Sequence, residues 1–223
     1  MKKFVALLLV LVIVLAFAGC AKSDVMSHKE YMAAAMDSKV TVETYVQATQ
    51  SWYKDAITVY CQSKDGAFFA YNLACSEEDA AKLVPGTKIK ITGTKGSFNG
   101  EIEIMDGTFE FVKGDSFIAQ AFDATALLGT DKLIDHQNEK ALFKGLTVEK
   151  VEYKNGEPGD DIYLTLGYNG ASYNFCVEVY LTGTDTDVYK TVGTLKTGDK
   201  IDVECFLYWY EGANPHITAI TVQ

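Results

Sequence analysis

Three histidines, five cysteines and 30 acidic residues are the groups of this 223-residue chain that could hold a metal or move a proton, and their spacing argues against both. His28, His136 and His216 have no partner at metal-ligand spacing. His216 follows Pro215 in the last turn and reads as a surface residue. No serine sits in a strand-to-helix elbow, and no glycine-rich phosphate loop is present. Among the carboxylates, Glu77-Glu78-Asp79 open a helix, where the dipole favours negative charge. Glu101 and Glu103 are expected on the solvent face of an alternating strand, and Asp160-Asp161 in a turn after Pro158-Gly159. The loop from Glu157 to Asp161 gathers the hard oxygen ligands calcium takes, but a plain turn explains it as well. The expectation is no catalysis, no metal and no cofactor. The 13 Tyr, 12 Phe and 2 Trp are more suggestive. An exposed ring offers a flat apolar surface with a polar rim, suited to stacking sugars, bases or peptide side chains. Which rings are exposed depends on the elements that carry them.

Those elements come twice. Pro85-Gly86-Thr87-Lys88-Ile89-Lys90-Ile91 and Thr197-Gly198-Asp199-Lys200-Ile201-Asp202-Val203 each place a turn before a strand with apolar alternate positions. Ile201 lies 112 positions after Ile89 and Ile220 lies 111 after Phe109, the mark of an internal duplication. Around the first copy the pattern predicts a helix capped by Ser27 and Glu30 and ended by Asp37-Ser38, then strands over 40–49 and from Ile57 to Cys61. A three-residue hairpin at Lys64-Asp65-Gly66 returns Phe69, Tyr71 and Leu73 to the face of Val59 and Ile57. A short helix over 80–84 follows, then a strand over 87–94, a turn at Asn99-Gly100 and a strand over 101–112 bent at Asp106-Gly107. The second copy repeats the order, with an entry helix over 130–136, a strand over 141–151, a hairpin at Asn169-Gly170, a helix over 185–192 and strands over 201–210 and 216–222.

Three strands, a helix and two strands are the order of the OB-fold, a five-stranded Greek-key barrel. The expected fold class is mainly β, two tandem OB-fold-like barrels, each preceded by a short helix. The motifs Gly86-Thr87-Lys88-Ile89-Lys90-Ile91-Thr92-Gly93, Phe98-Asn99-Gly100 and Gly198-Asp199-Lys200-Ile201 resemble those of bacterial surface lipoproteins with tandem OB domains, similar to the tRNA-anticodon-binding-like group. Strands two and three and the one-two and four-five loops make the ligand surface of that fold. On it the candidate binding residues are Trp52, Tyr53, Tyr60 and Phe98 in the first copy, and Tyr153, Tyr163, Tyr208 and Tyr210 in the second. The alternative is that these rings pack the two barrels together or shield loop edges.

The chain begins Met1-Lys2-Lys3, runs apolar from Phe4 to Ala18 and reaches Phe17-Ala18-Gly19 just before Cys20, which resembles a bacterial lipoprotein signal. The resemblance implies cleavage before Cys20 and lipid on its sulfur, holding the protein outside the cytoplasm. The expected divisions are a signal over 1–19, a tether over 20–26, a first domain over 27–113, a connection over 114–129 with a possible extra strand, and a second domain over 130–223. Four cysteines then remain, and buried free thiols are expected. Cys61 and Cys75 fall about 20 Å apart along one hairpin, and Cys176 and Cys205 face opposite sides of their strands. Without residues 1–19 the chain has 18 lysines against 30 acidic residues, a balance of −12, and no arginine. Nucleic acid binding leans on cations along the backbone, so this composition makes it an unlikely partner. The leading expectation is a lipid-anchored binding or scaffolding protein for an extracellular protein, peptide or glycan. Single-stranded nucleic acid or oligosaccharide binding, and a divergent nuclease-like enzyme, are the alternatives.

Overall fold

Gly86 and Gly198 do one job in two places. Both take positive φ, 91° and 98°. Each N–H donates to the carbonyl of a valine on a facing strand, Val46 or Val148, at 2.8 Å. Those valines donate back to Thr87 O and Asp199 O at 2.9 Å, so each turn is clamped to its sheet from both sides. The computed structural model describes residues 24–223. Cys20 and the segment expected to be a signal lie outside the described residues.

The first half contains α1 (His28–Ala33), β1 (Lys39–Thr49), β2 (Ala56–Ser63), β3 (Gly66–Ala74), α2 (Glu77–Ala80), β4 (Lys88–Phe98) and β5 (Glu101–Phe111). Its strands close into a barrel in the order β1-β2-β3-β5-β4, the connectivity of the OB-fold. The second half contains β6 (Phe122–Asp123), β7 (Lys140–Tyr153), β8 (Ile162–Tyr168), β9 (Ala171–Val177), α3 (Val179–Thr182), α4 (Asp187–Val192), β10 (Lys200–Phe206) and β11 (His216–Val222). Its six-stranded sheet runs β10-β11-β9-β8-β7-β6, and an additional β10–β7 pairing joins its ends into a ring with β6 alongside. The same offset appears in the register: Ile91 pairs with Phe109, and Val203, 112 positions on, pairs with Ile220.

Alternation does most of the folding. Val40, Val42, Ile57, Val59, Ile89 and Ile91 fill one apolar interior. Phe143, Leu146, Leu164, Phe175, Ile201 and Val203 fill a second. Burying each such side chain stabilises by about 1.5–3 kcal/mol relative to leaving it exposed. Asn99-Gly100 and Asn169-Gly170 both take the paired positive φ values of a two-residue hairpin turn. All four described cysteines are free and buried. Among the described residues no helix is long and apolar enough to cross a membrane.

Several local expectations are corrected. The helix after Ser27 keeps its capping box with Glu30 but stops at Ala33. There Lys95 Nζ donates to the carbonyls of Tyr31, Met32 and Ala34 at 2.8–3.0 Å, ending the helix without a carboxylate. Met26, expected in the tether, bridges to Val42 on β1. The entry helix of the second copy is a 3-10 turn, Leu133–His136. The hairpin after β2 turns on Lys64 and Asp65 alone, with Ser63 opposite Gly66. Phe69 and Tyr71 do not share a face with Leu73. A register shift sets Ile57 against Leu73 but Val59 against Ala70, and Asn72 takes φ 49° in the extra residue. The bulge turns Phe68 and Ala70 inward and sends Phe69 and Tyr71 to the other side.

Candidate binding cleft at the seam between the two halves

In each half the third and fifth strands meet only briefly, in parallel. In the first, Phe69 of β3 lies opposite Glu103 of β5; in the second, Cys176 of β9 lies opposite His216 of β11. Across the neighbouring ladder Phe69 pairs with Tyr60 and Cys176 with Tyr163. The two three-residue rungs, Tyr60-Phe69-Glu103 and Tyr163-Cys176-His216, both lie at the seam.

The seam is bonded along its length. Tyr60 Oη and His216 Nδ1 lie 2.7 Å apart, fully buried, and Tyr60 stacks on Phe206 at 4.7 Å. Trp209 N donates to Glu101 Oε2 at 2.9 Å, and Ser51 N to Tyr180 O at 2.7 Å. Gln137 bridges by donating to Gly100 O at 2.9 Å and accepting from Ile102 N at 3.3 Å.

A cleft of about 460 Å³ opens beside this contact. Its walls carry six aromatic rings, Phe69, Tyr71, Phe98, Tyr163, Tyr208 and Tyr210. Tyr208 is held in place by stacking on His216 at 4.2 Å and meeting Phe69 edge-on at 5.2 Å. Polar groups enter from Gln50, Glu103, Asp161, Glu178, Asn214 and His216. Glu178 caps α3, accepting from Tyr180 N and Leu181 N, and also receives Gln50 Nε2 at 3.1 Å. Asp161 is paired with Lys154 at 3.0 Å and accepts from Val179 N. Glu103 is 4 % exposed, and no side-chain or backbone donor among the described residues reaches its carboxylate.

Burial sets the charge states. Desolvation raises Glu178 to about 7, against the hydrogen bonds that favour its ionised form. Desolvation alone raises Glu103. It lowers His216 to about 3, so this imidazole is neutral. Behind the wall, Glu101 is raised to about 8 by burial, which the nearby Asn138 amide and the Trp209 N–H only partly offset. Its Oε1 has no partner.

Of the eight rings singled out in the sequence, the cleft gathers Phe98, Tyr163, Tyr208 and Tyr210. Tyr60, expected to face outward, is buried in the seam because β10 of the second half covers its strand. Trp52 packs on the first interior, its Nε1 donating to Cys75 O at 2.8 Å. Tyr153 packs against the second interior near Tyr189. Tyr53 is 66 % exposed and lines a separate hollow with Tyr71 and Tyr180. His216, Glu101 and Glu103, all expected at the surface, are buried because the seam covers the faces assigned to water. Phe69, Tyr71, Glu103, Glu178 and His216 join the cleft without having been expected there. The Glu157–Asp161 loop holds Lys154 instead of a cation site, and no group of three potential metal ligands occurs among the described residues.

No family model matches the chain, and no curated protein matches it. Solved structures do. A structure of murine DNA binding protein bound with double-stranded DNA aligns over 82% of this chain and 94% of its own, at 11% identity and TM-score 0.38. The tetrameric p202 HIN2 aligns over 85% and 96%, at 12% identity and TM-score 0.36. Asparaginyl-tRNA synthetase from Pyrococcus horikoshii aligns over 38% of this chain at 17% identity and TM-score 0.31, and the match spans 19% of the synthetase. At these scores the likenesses carry no argument about function.

Proposed function

We propose that the chain is a non-enzymatic binding protein, two OB-type domains in tandem, that holds a small ligand in the cleft between them. The observation that carries this reading is the cleft itself, walled by rings from both halves and floored by polar groups. Ligand sites are concave and largely apolar, with a few converging polar groups, and a volume of about 460 Å³ suits a small molecule or the end of a chain. Flat rings grip sugar faces, alkyl chains and bases alike. Lipid on Cys20 and a place outside the cytoplasm complete the proposal, resting on the segment from Met1 to Cys20.

The test is titration calorimetry of the full chain against a panel of small oligosaccharides, alkylamines and dinucleotides, repeated with Phe98→Ala and Tyr210→Ala. Binding that both variants weaken supports the cleft. Binding that neither changes, or no binding across the panel, counts against it. For the anchor, Cys20→Ser should move the protein from the detergent phase to the aqueous phase on phase separation.

A second reading is single-stranded nucleic acid or glycan binding along β8 and β9. A hollow of about 470 Å³ opens there beside Tyr163, Asn174 and Tyr210. Glu152 and Glu211 line it too, and the chain carries a net charge of −10. A polyanion would be repelled on this surface. Tight, salt-sensitive retention of single-stranded DNA in a gel shift, lost with Tyr163→Ala, would place this reading first.

A further inference from the structure

We infer that the ligand of the cleft is an organic cation, an ammonium group carried on an apolar chain. The inference rests on the cleft being a binding site, as proposed above. Its central observation is the Glu103 carboxylate. The other carboxylates that line the cleft are satisfied: Glu178 has two backbone N–H groups and Gln50, and Asp161 has Lys154 and Val179 N. Glu103 has none of this, although it is as buried as they are. Unlike Glu101 Oε1, its oxygens open onto the cleft, and a carboxylate so largely buried gains from an ionic partner there. This one lines the cleft, so a partner arriving from outside can reach it.

The surroundings select the sign and the shape of that partner. No lysine lines the cleft, so it contains no internal counter-charge for Glu103. Asp161 is balanced by Lys154, and no cation is left over in the lining to attract an anionic ligand. Six aromatic rings line the cleft, and cations bind aromatic faces, the more strongly where water is excluded. A neutral sugar would engage the rings but leave Glu103 with a hydroxyl in place of an ion. An ammonium group on a short apolar chain satisfies both features, its charge at Glu103 and its carbons against Tyr71, Phe98 and Tyr210.

The experiment is calorimetry of the full chain with choline and with 3,3-dimethylbutan-1-ol, which has the same shape without the charge, and with 1,5-diaminopentane as a primary amine. Choline or the diamine should bind at least about tenfold more tightly than the alcohol, the margin of a charge-assisted contact. Glu103→Gln should erase that preference while leaving the melting temperature unchanged or higher, since the amide keeps the shape and removes a buried charge. Tyr71→Leu, on a half-exposed ring, serves as the second variant and should weaken the cations several-fold (roughly the value of one cation–π contact). Binding of the alcohol equal to that of both cations, or a preference that survives Glu103→Gln, overturns the inference. If a neutral saccharide binds and is lost with Tyr210→Ala while no cation is preferred, the inference falls and the cleft stands. If nothing in either class binds, both fall.

Discussion

Raising the pH from 5 to 9 should weaken folding, with Glu101 as the principal cause. Its side chain is 0 % exposed, one oxygen accepts from Trp209 N and the other has no partner. Burial raises it from the usual 4.5 to about 8, so the folded chain keeps a proton that the unfolded chain gives up. Where the native state binds more protons than the unfolded state, stability falls as pH rises. The contribution is fully present below pH 4.5 and is lost as pH climbs to about 8. At about 1.4 kcal/mol per decade the whole window amounts to about 5 kcal/mol, of which about 4 kcal/mol falls between pH 5 and 9. Glu178, raised to about 7, acts in the same direction over a narrower range. His216 opposes them only at low pH: lowered to about 3, it contributes stability above 6.5 that is lost as pH falls. Glu101→Gln isolates the main effect, because the amide oxygen can still accept from Trp209 N and nothing ionises. Urea unfolding of residues 20–223 at pH 5, 7 and 9 should show the gap between variant and wild type widening in favour of the variant by about 4 kcal/mol. A gap that stays constant from pH 5 to 9 would refute the assignment, whatever the absolute stabilities.

Two further perturbations separate the cleft from its frame. Tyr208→Ala should lower stability by about 3 kcal/mol, because the ring is wedged between His216 and Phe69, whereas Tyr210→Ala, at an exposed ring, should cost under about 1 kcal/mol. Thermal melts of the two variants check this, and equal losses would mean that Tyr210 is also structural. Gly198→Ala puts a Cβ into open space at positive φ, so its cost should be backbone strain of about 1 kcal/mol. At Gly86 the same atom would collide with Ser116 Oγ, so Gly86→Ala should cost more unless that serine rotates away, and chemical denaturation of the pair measures the difference.

Both Asn-Gly turns and the Ser27 cap were legible because each depends on neighbours a few residues away, and the strand order because the same pattern of elements is written twice along the chain. The site was half legible. Alternation on a strand says which side chains share a face, but not which face meets water. For Glu101, Glu103 and Tyr60 the second half supplies what the outer face meets, for His216 the first half does, and no local pattern records it. Phe69 and Tyr71 escaped for a different reason. One extra residue at Asn72 reverses the parity of β3, and asparagine is common enough in strand-end turns to give no warning.

The two rungs at the seam have a consequence for how an occupant lies. Like patches meeting each other is the way identical subunits pair about a twofold axis, and such a pocket presents the same chemistry at both ends. Here the copies share one chain and have diverged: tyrosine stands in both, but glutamate in one rung takes the place of histidine in the other. The pocket therefore has two unlike sides, the first half bringing an unpartnered acid and the second a neutral imidazole with two carboxylates already bonded, so a guest does not meet the same chemistry either way round.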